Sequence, residues 1–285
     1  WQSKVLRLTA FSKFDYVMLL GEMYIISSWI ACLIAKIRGK KIYMWSHGLY
    51  GNESFIKKHI RLNFLKLADV IFLYENRAKK LLVKNGFDES TLDVVYNSLD
   101  FDIHQKHYLK LKKENNTKVK RLFIDESLPK ILFIGRITEK KKIDLLIGAI
   151  NKLNQTKISY NLLIVGEGDN LEFHKVSNQK SIDSGWLNFY GKSYDTEETG
   201  KLIYTSDLCV SPGNIGLTAI HSLSYGTPVA SHSNYNNQMP EVEAIIDGEN
   251  GFLFEENDFA DLASKINLWF SKNLKLNRDK IRKIV

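Results

Sequence analysis

Ser211 to His232, SPGNIGLTAIHSLSYGTPVASH, holds the densest chemistry in the chain. Its pattern predicts a strand over Leu208–Pro212, a turn at Gly213-Asn214, and a short helix opening near Ile215 or Gly216. A stop at Gly226 and a second strand, PVASH, follow. A glycine-lined turn feeding a helix start aims backbone N–H groups at one spot, with the positive end of the helix behind them. Such a turn binds a phosphate or another anion. Two cations occupy related positions: Arg136 directly after ILFIG, and Lys141 within Thr138-Glu139-Lys140-Lys141-Lys142. Arginine offers forked hydrogen bonds and lysine a point charge, a pairing that can neutralise a diphosphate. Glu167-Gly168 after NLLIVG and Lys192 after LNFYG complete four strand ends. Singly, the lysine run reads as a solvated loop and VGEGD as a turn. Their order and spacing together point to a phosphorylated small molecule at the C-terminal edge of a parallel sheet.

The elements that must carry these residues alternate strand and helix almost throughout. Strands are predicted at Tyr16–Leu20, Lys41–Ser46, Val70–Tyr74 and Asp93–Tyr96, with helices at Glu22–Arg38, Ile56–Leu67 and Asn76–Asn85 between them. A second unit has strands at Ile131–Gly135, Asn161–Gly166, Leu187–Gly191, LCVSP and PVASH. Near-continuous apolar strands alternating with helices predict parallel sheets covered on both faces. The expected class is α/β, two Rossmann-like domains facing a cleft: residues 1–104, a basic linker or long helical connection over 105–128, and residues 129–285.

Composition narrows the setting. With 285 residues, 44% hydrophobic and 25% charged, the chain reads as a soluble globular protein. Cys32 and Cys209 are too few for a disulfide framework and read as core packing in a cytoplasmic setting, and the seven histidines show no metal-ligand spacing. The net charge of +8 gathers between Lys106 and Lys142 and in a final run with Lys272, Lys275, Lys280, Arg282 and Lys283. Without an RNA-binding motif, nucleic acid is excluded, leaving phosphorylated substrates and peripheral contact with an anionic membrane at its inner face. The apolar run Tyr16–Ile37 approaches the length of a membrane span, but Gly21-Glu22 breaks it into a buried strand and a helix. The chain opens on Trp1 and closes on a basic helical pattern without a stop signal, which reads as an internal fragment.

GRITEKKKIDLL, NLLIVGEGD, LNFYG, SPGNIGLTAIHSLSYGTPVASH and MPEVEAIIDGENGFLF together resemble the nucleotide-sugar half of the retaining glycosyltransferases of family 4, which have the GT-B fold. MWSHG (Met44–Gly48) and VVYNSLD (Val94–Asp100) are similar to stretches of that family's acceptor-side domain. The resemblance covers nearly the whole chain and implies an N-terminal domain lacking its first strands. It implies that Arg136 and Lys141 bind the donor diphosphate and that His47 lies beside the transferred sugar. The backbone of Asn214, Ile215, Gly216 and Leu217 would form the phosphate-binding helix start, with Gly135 and Gly213 also donor-binding, Gly191-Lys192 along the base, and Glu167-Gly168 near the nucleotide wall. The family usually carries two glutamates around this helix, and their positions are Gly213 and His221 here. The first normally contacts the sugar and the second the ribose, a contact that His221 could keep by hydrogen bonding. Asn214 and His221, about two helical turns apart, would share one helix face.

The implied reaction moves a hexosyl group from a nucleotide-diphosphate sugar to a glycan or lipid-linked acceptor with retention, in surface polysaccharide synthesis. It needs no metal and no cofactor beyond the donor. Two rivals stand beside it. One is a non-catalytic nucleotide-sugar-binding or scaffold protein, motivated by the missing glutamates. The other is a nucleotide-sugar epimerase drawing on His47 and Glu22.

Overall fold

The computed structural model describes residues 1–114, 121–272 and 277–283 and divides into two compact units, Trp1–Asn97 and Ser98–Val285. Lys275, the closing residues Ile284 and Val285, and part of the expected linker lie outside the described residues.

In the first unit, β1 (Tyr16–Leu20), β2 (Lys41–Ser46), β3 (Val70–Leu73) and β4 (Leu92–Val94) form a parallel sheet in that order. Helices Ser3–Phe11, Ile26–Ile37, Phe55–Leu65 and Asn76–Val83 accompany them. Side chains alternate across a strand. Leu19, Ile42, Met44, Ile71 and Leu73 meet Ala31, Cys32, Phe64, Leu65 and Leu82 in one core. Both-face coverage, expected from the apolar strands, is not what the described residues show. Tyr16, Met18 and Leu20 are 62%, 52% and 59% exposed. They share the open face with Tyr43, whose ring lies 5.8 Å from Tyr16 and 6.0 Å from Phe72. The helix expected from Glu22 starts at Ile26, because a turn closed by Ile25 N–H donating to the Glu22 carbonyl precedes it. No described helix is long and apolar enough to cross a membrane.

In the second unit, β5 (Lys130–Ile134), β6 (Asn161–Val165), β7 (Leu187–Gly191), β8 (Leu208–Ser211), β9 (Val229–His232) and β10 (Gly251–Phe254) form a parallel sheet ordered β10-β9-β8-β5-β6-β7. β10 is an addition to the predicted strands. Here both faces are covered: Ile131, Phe133, Leu162 and Ile164 pack with helices Ile143–Leu153 and Phe259–Lys272. Leu132, Leu163 and Val165 pack with Leu202, Ile203 and Tyr225 on the other face. Cys209 lies in this interior, its thiol pushed up to about 12 by burial.

Of the two alternatives for the connection, linker or long helix, its first part is helical. Phe101–Glu114 is a helix of the second unit, held by Tyr108 (2% exposed) and Leu111 in the same core as Leu132. Burying a side chain of that size contributes ~1.5–3 kcal/mol. Several of its lysines are paired: Lys112 meets Asp279 at 2.7 Å, and Lys110 meets Glu197.

Candidate functional site

The strand order reverses between β5 and β8, so loops leaving these neighbours diverge to opposite sides of the sheet, the place where open parallel sheets bind ligands. Gly135, Arg136 and Lys141 leave β5, and Gly213 to Leu217 leave β8. On the β5 side the strand ends stay laced together. Gly135 N–H donates to the Val165 carbonyl (3.0 Å), Ile137 N–H to the Glu167 carbonyl (2.8 Å), and Gly166 N–H to the Gly191 carbonyl (2.8 Å). A Cβ at Gly168 would lie 1.8 Å from the Ile137 carbonyl oxygen, so VGEGD is a turn whose glycine permits close backbone approach. Residues 134–136, 165–167 and 192–194 line a cavity of about 230 Å³. Arg136 is exposed at its rim. Glu167 accepts from the Tyr194 hydroxyl and pairs with Lys192 at 3.2 Å. Those two partners, Tyr194 foremost, hold its carboxyl below the usual range.

On the β8 side the loop is bound into the turn Glu139–Lys141. Gly213 N–H donates to the Lys141 carbonyl (3.1 Å), and Lys141 Nζ donates to the Asn214 carbonyl. Burial lowers the Lys141 pKa, and the charge of Glu241 works against that shift. Gly213 has no room for a side chain: a Cβ would lie 1.9 Å from the Lys140 carbonyl oxygen and 2.8 Å from Lys141 Cα. Ile215 is buried, and its N–H donates to Gln238 Oε1 at 2.8 Å. The N–H groups of Asn214, Gly216 and Leu217 meet no acceptor among the described residues.

The helix opens at Thr218, later than expected, and runs only to Ser224, before left-handed Gly226 (φ +67°). Asn214 therefore precedes the helix and shares no helical face with His221. The His221 ring packs instead against His104 (4.6 Å) and Tyr225 (5.7 Å), and its Nε2 is buried without a hydrogen-bond partner among the described residues. Burial, reinforced by His104, brings the His221 pKa down to about 4, so the ring is neutral at physiological pH. It does not line the cavity.

His47 belongs to the first unit, one residue beyond β2. Its ring stacks on Tyr74 (4.5 Å, 29°) and faces Tyr50 (5.9 Å, 28°). The following loop is braced by Glu53, which accepts from the N–H groups of Tyr50 (2.8 Å) and Gly51 (2.9 Å) and pairs with buried Arg61 at 3.6 Å.

Of the residues singled out in the sequence, Gly135, Arg136, Glu167 and Lys192 line one cavity, and Lys141 is bonded to the 213–214 backbone. Beside them stand Tyr194, Gln238 and Glu241, which no sequence pattern singled out. The stretch MPEVEAII was visible, but no spacing signals that Glu241 faces Lys141 or that Gln238 reaches Ile215. Among the described residues, no group of three His, Cys, Asp or Glu side chains is placed to hold a metal ion.

The model of a family described as "Glycosyl transferases group 1" matches residues 114–284. The chain is 22% identical over 269 residues to a lipopolysaccharide 1,6-galactosyltransferase of Escherichia coli K12, covering 88% of this chain and 66% of that protein. It is 28% identical over 196 residues to an uncharacterized 41.2 kDa protein in the cps region of Klebsiella pneumoniae, covering 68% of this chain and 49% of that one. The chain thus spans about half to two thirds of these relatives' length. Among solved structures, the apo lipopolysaccharide outer core galactosyltransferase WaaB superposes with a TM-score of 0.72 at 18% identity, covering 99% of this chain and 73% of that one. Anabaena Alr3699/HepE in complex with UDP does so with a TM-score of 0.71 at 16% identity, covering 99% and 75%. These likenesses show the α/β fold with two parallel sheets of GT-B glycosyltransferases.

Proposed function

The chain belongs to the group 1 glycosyl transferases, and from that premise we propose that it moves a hexosyl group from a nucleotide-diphosphate sugar to a glycan or lipid-linked acceptor, with retention of configuration. One observation carries the reading. Arg136 and Lys141 leave β5 on the same loop, and Lys141 is bonded to the 213–214 backbone beside N–H groups that meet no acceptor among the described residues. When the bond between the sugar and the diphosphate breaks, negative charge builds on the phosphate oxygens. Preorganised donors aimed at that charge lower the barrier without reorganising. In this reading Arg136 supplies a forked contact and Lys141 a half-buried charge, so the stabilisation does not call on a metal. The departing phosphate oxygen takes the proton of an acceptor hydroxyl attacking from the same face. The cavity along Gly135, Glu167 and Lys192 receives the nucleoside, and His47 positions the sugar or its acceptor. His221 is left out of the ribose contact, since its ring is committed to His104 and Tyr225.

The lipopolysaccharide galactosyltransferase and cps-region relatives support a role in surface polysaccharide synthesis. The decisive experiment incubates the protein with UDP-glucose, UDP-galactose, UDP-N-acetylglucosamine and GDP-mannose and a panel of glycan and lipid-linked acceptors. Product anomers are read by NMR. Transfer with an α-linked product from an α-linked donor is expected, and inversion would overturn retention. Gly213 favours a second reading, a nucleotide-sugar-binding protein without transfer, because its surroundings admit no carboxylate there. Donor binding with neither transfer nor hydrolysis across the panel would select it.

A further inference from the structure

Gln238 follows the turn Tyr235–Asn237 beyond β9, and its side-chain amide makes three hydrogen bonds. Oε1 accepts from the Ile215 N–H at 2.8 Å, while Nε2 donates to Ser231 Oγ at 2.8 Å and to the His232 carbonyl at 2.9 Å. The partners dictate the amide's orientation, since a backbone N–H demands the oxygen and a backbone carbonyl demands the nitrogen. Ser231 Oγ passes the chain on by donating to the Ser211 carbonyl at 2.9 Å. From the β5 side, Lys141 holds Gly213 and Asn214. The loop is therefore gripped through its backbone from two sides, and because Gly213 can carry no side chain, the second grip must come from elsewhere.

We infer that Gln238 is a positioning residue for the donor diphosphate: it fixes the peptide plane at Ile215 so that the N–H groups of Asn214, Gly216 and Leu217 stay available to phosphate oxygens. Gln238 itself does not touch the donor. This rests on the diphosphate assignment proposed above. Donors held in place before binding need no ordering at the moment of contact.

The test compares the wild type with Gln238→Met and Gln238→Glu by calorimetric binding of UDP and UMP, or of GDP and GMP if the guanine pair binds more tightly. The wild type should prefer the diphosphate. Gln238→Met keeps the length but no bonding groups, so that preference should fall on the order of tenfold while monophosphate affinity stays within about twofold. Gln238→Glu sets a carboxylate oxygen against the His232 carbonyl and should lose the preference at pH 7.5. It should regain part of it, relative to wild type, at pH 5, where a protonated carboxyl donates as the amide did. General destabilisation would weaken both ligands alike and show no such recovery. A wild-type preference retained in both variants overturns the role of Gln238 alone. A wild type that does not distinguish diphosphate from monophosphate overturns the diphosphate assignment, and this inference with it.

Discussion

A carboxylate at position 213 would need a Cβ 1.9 Å from the carbonyl oxygen of Lys140. That contact is to backbone, which cannot swing aside as a flexible side chain would. Gly213→Ala should therefore destabilise the fold by roughly 1–3 kcal/mol and weaken nucleotide binding, as read by urea unfolding and calorimetry. Wild-type stability with intact affinity would show that the 139–141 turn yields without consequence. Arg136 makes the contrast, being exposed at the cavity rim. Arg136→Ala should lower kcat ~10²–10³-fold with an unchanged melting temperature, and unchanged kinetics would remove it from the phosphate site. Both positions stood out in the sequence, Arg136 as the residue after a strand and Gly213 as a departure from a glutamate. The reason for the departure was not legible, because the obstructing carbonyl comes from a distant loop.

Helix Thr218–Ser224 is short, and its support comes from neighbouring elements. Arg282 Nε donates to the Ser224 carbonyl at 2.6 Å and Arg278 to the Gly226 carbonyl at 3.3 Å, placing cations at the helix end where the dipole favours them. On its flank, His221 and Tyr225 meet His104 of helix Phe101–Glu114, with His104 Nδ1 3.2 Å from the Tyr225 hydroxyl. Burial lowers the pKa of both imidazoles, to about 4 for His221. The unfolded chain then binds more protons than the folded one below about pH 6.5, so stability falls as pH drops from there toward 4. His221→Phe should flatten that slope, by at most about 3 kcal/mol between pH 7 and 4. His174 and His232 are also held low by burial, so denaturation midpoints of variant and wild type must be compared at each pH. Parallel slopes would show that the pair titrates normally. The helix itself was legible from Gly226 and its apolar spacing. Its late start was not, since residues 214–217 are drawn out of helical geometry by bonds to Lys141 and Gln238.

At the scale of the molecule, a net charge of +8 sets weak, non-specific attraction to anionic surfaces. Lys112, Lys130 and Lys142 each pair with an acidic group, so the basic run does not present itself as one bare patch. Sedimentation with phosphatidylserine vesicles is therefore expected at about 50 mM salt and should vanish near 300 mM, as the Debye length shrinks. Binding to neutral vesicles, or binding indifferent to salt, would contradict a purely electrostatic contact. The alternation of strand and helix, the doubly covered second sheet and the residues at its strand ends were all determined by the sequence itself. Apolar period, glycine stops and turn residues are local signals, readable within a few positions. Tertiary structure alone decided that position 213 must be bare and that His221 is buried as a neutral ring. It alone also joined Ile215 to Gln238, 23 residues on, Lys141 to Asn214 across 73, and His104 to Tyr225 across 121. Such contacts depend on which segments pack together, and no local pattern encodes the distance between them.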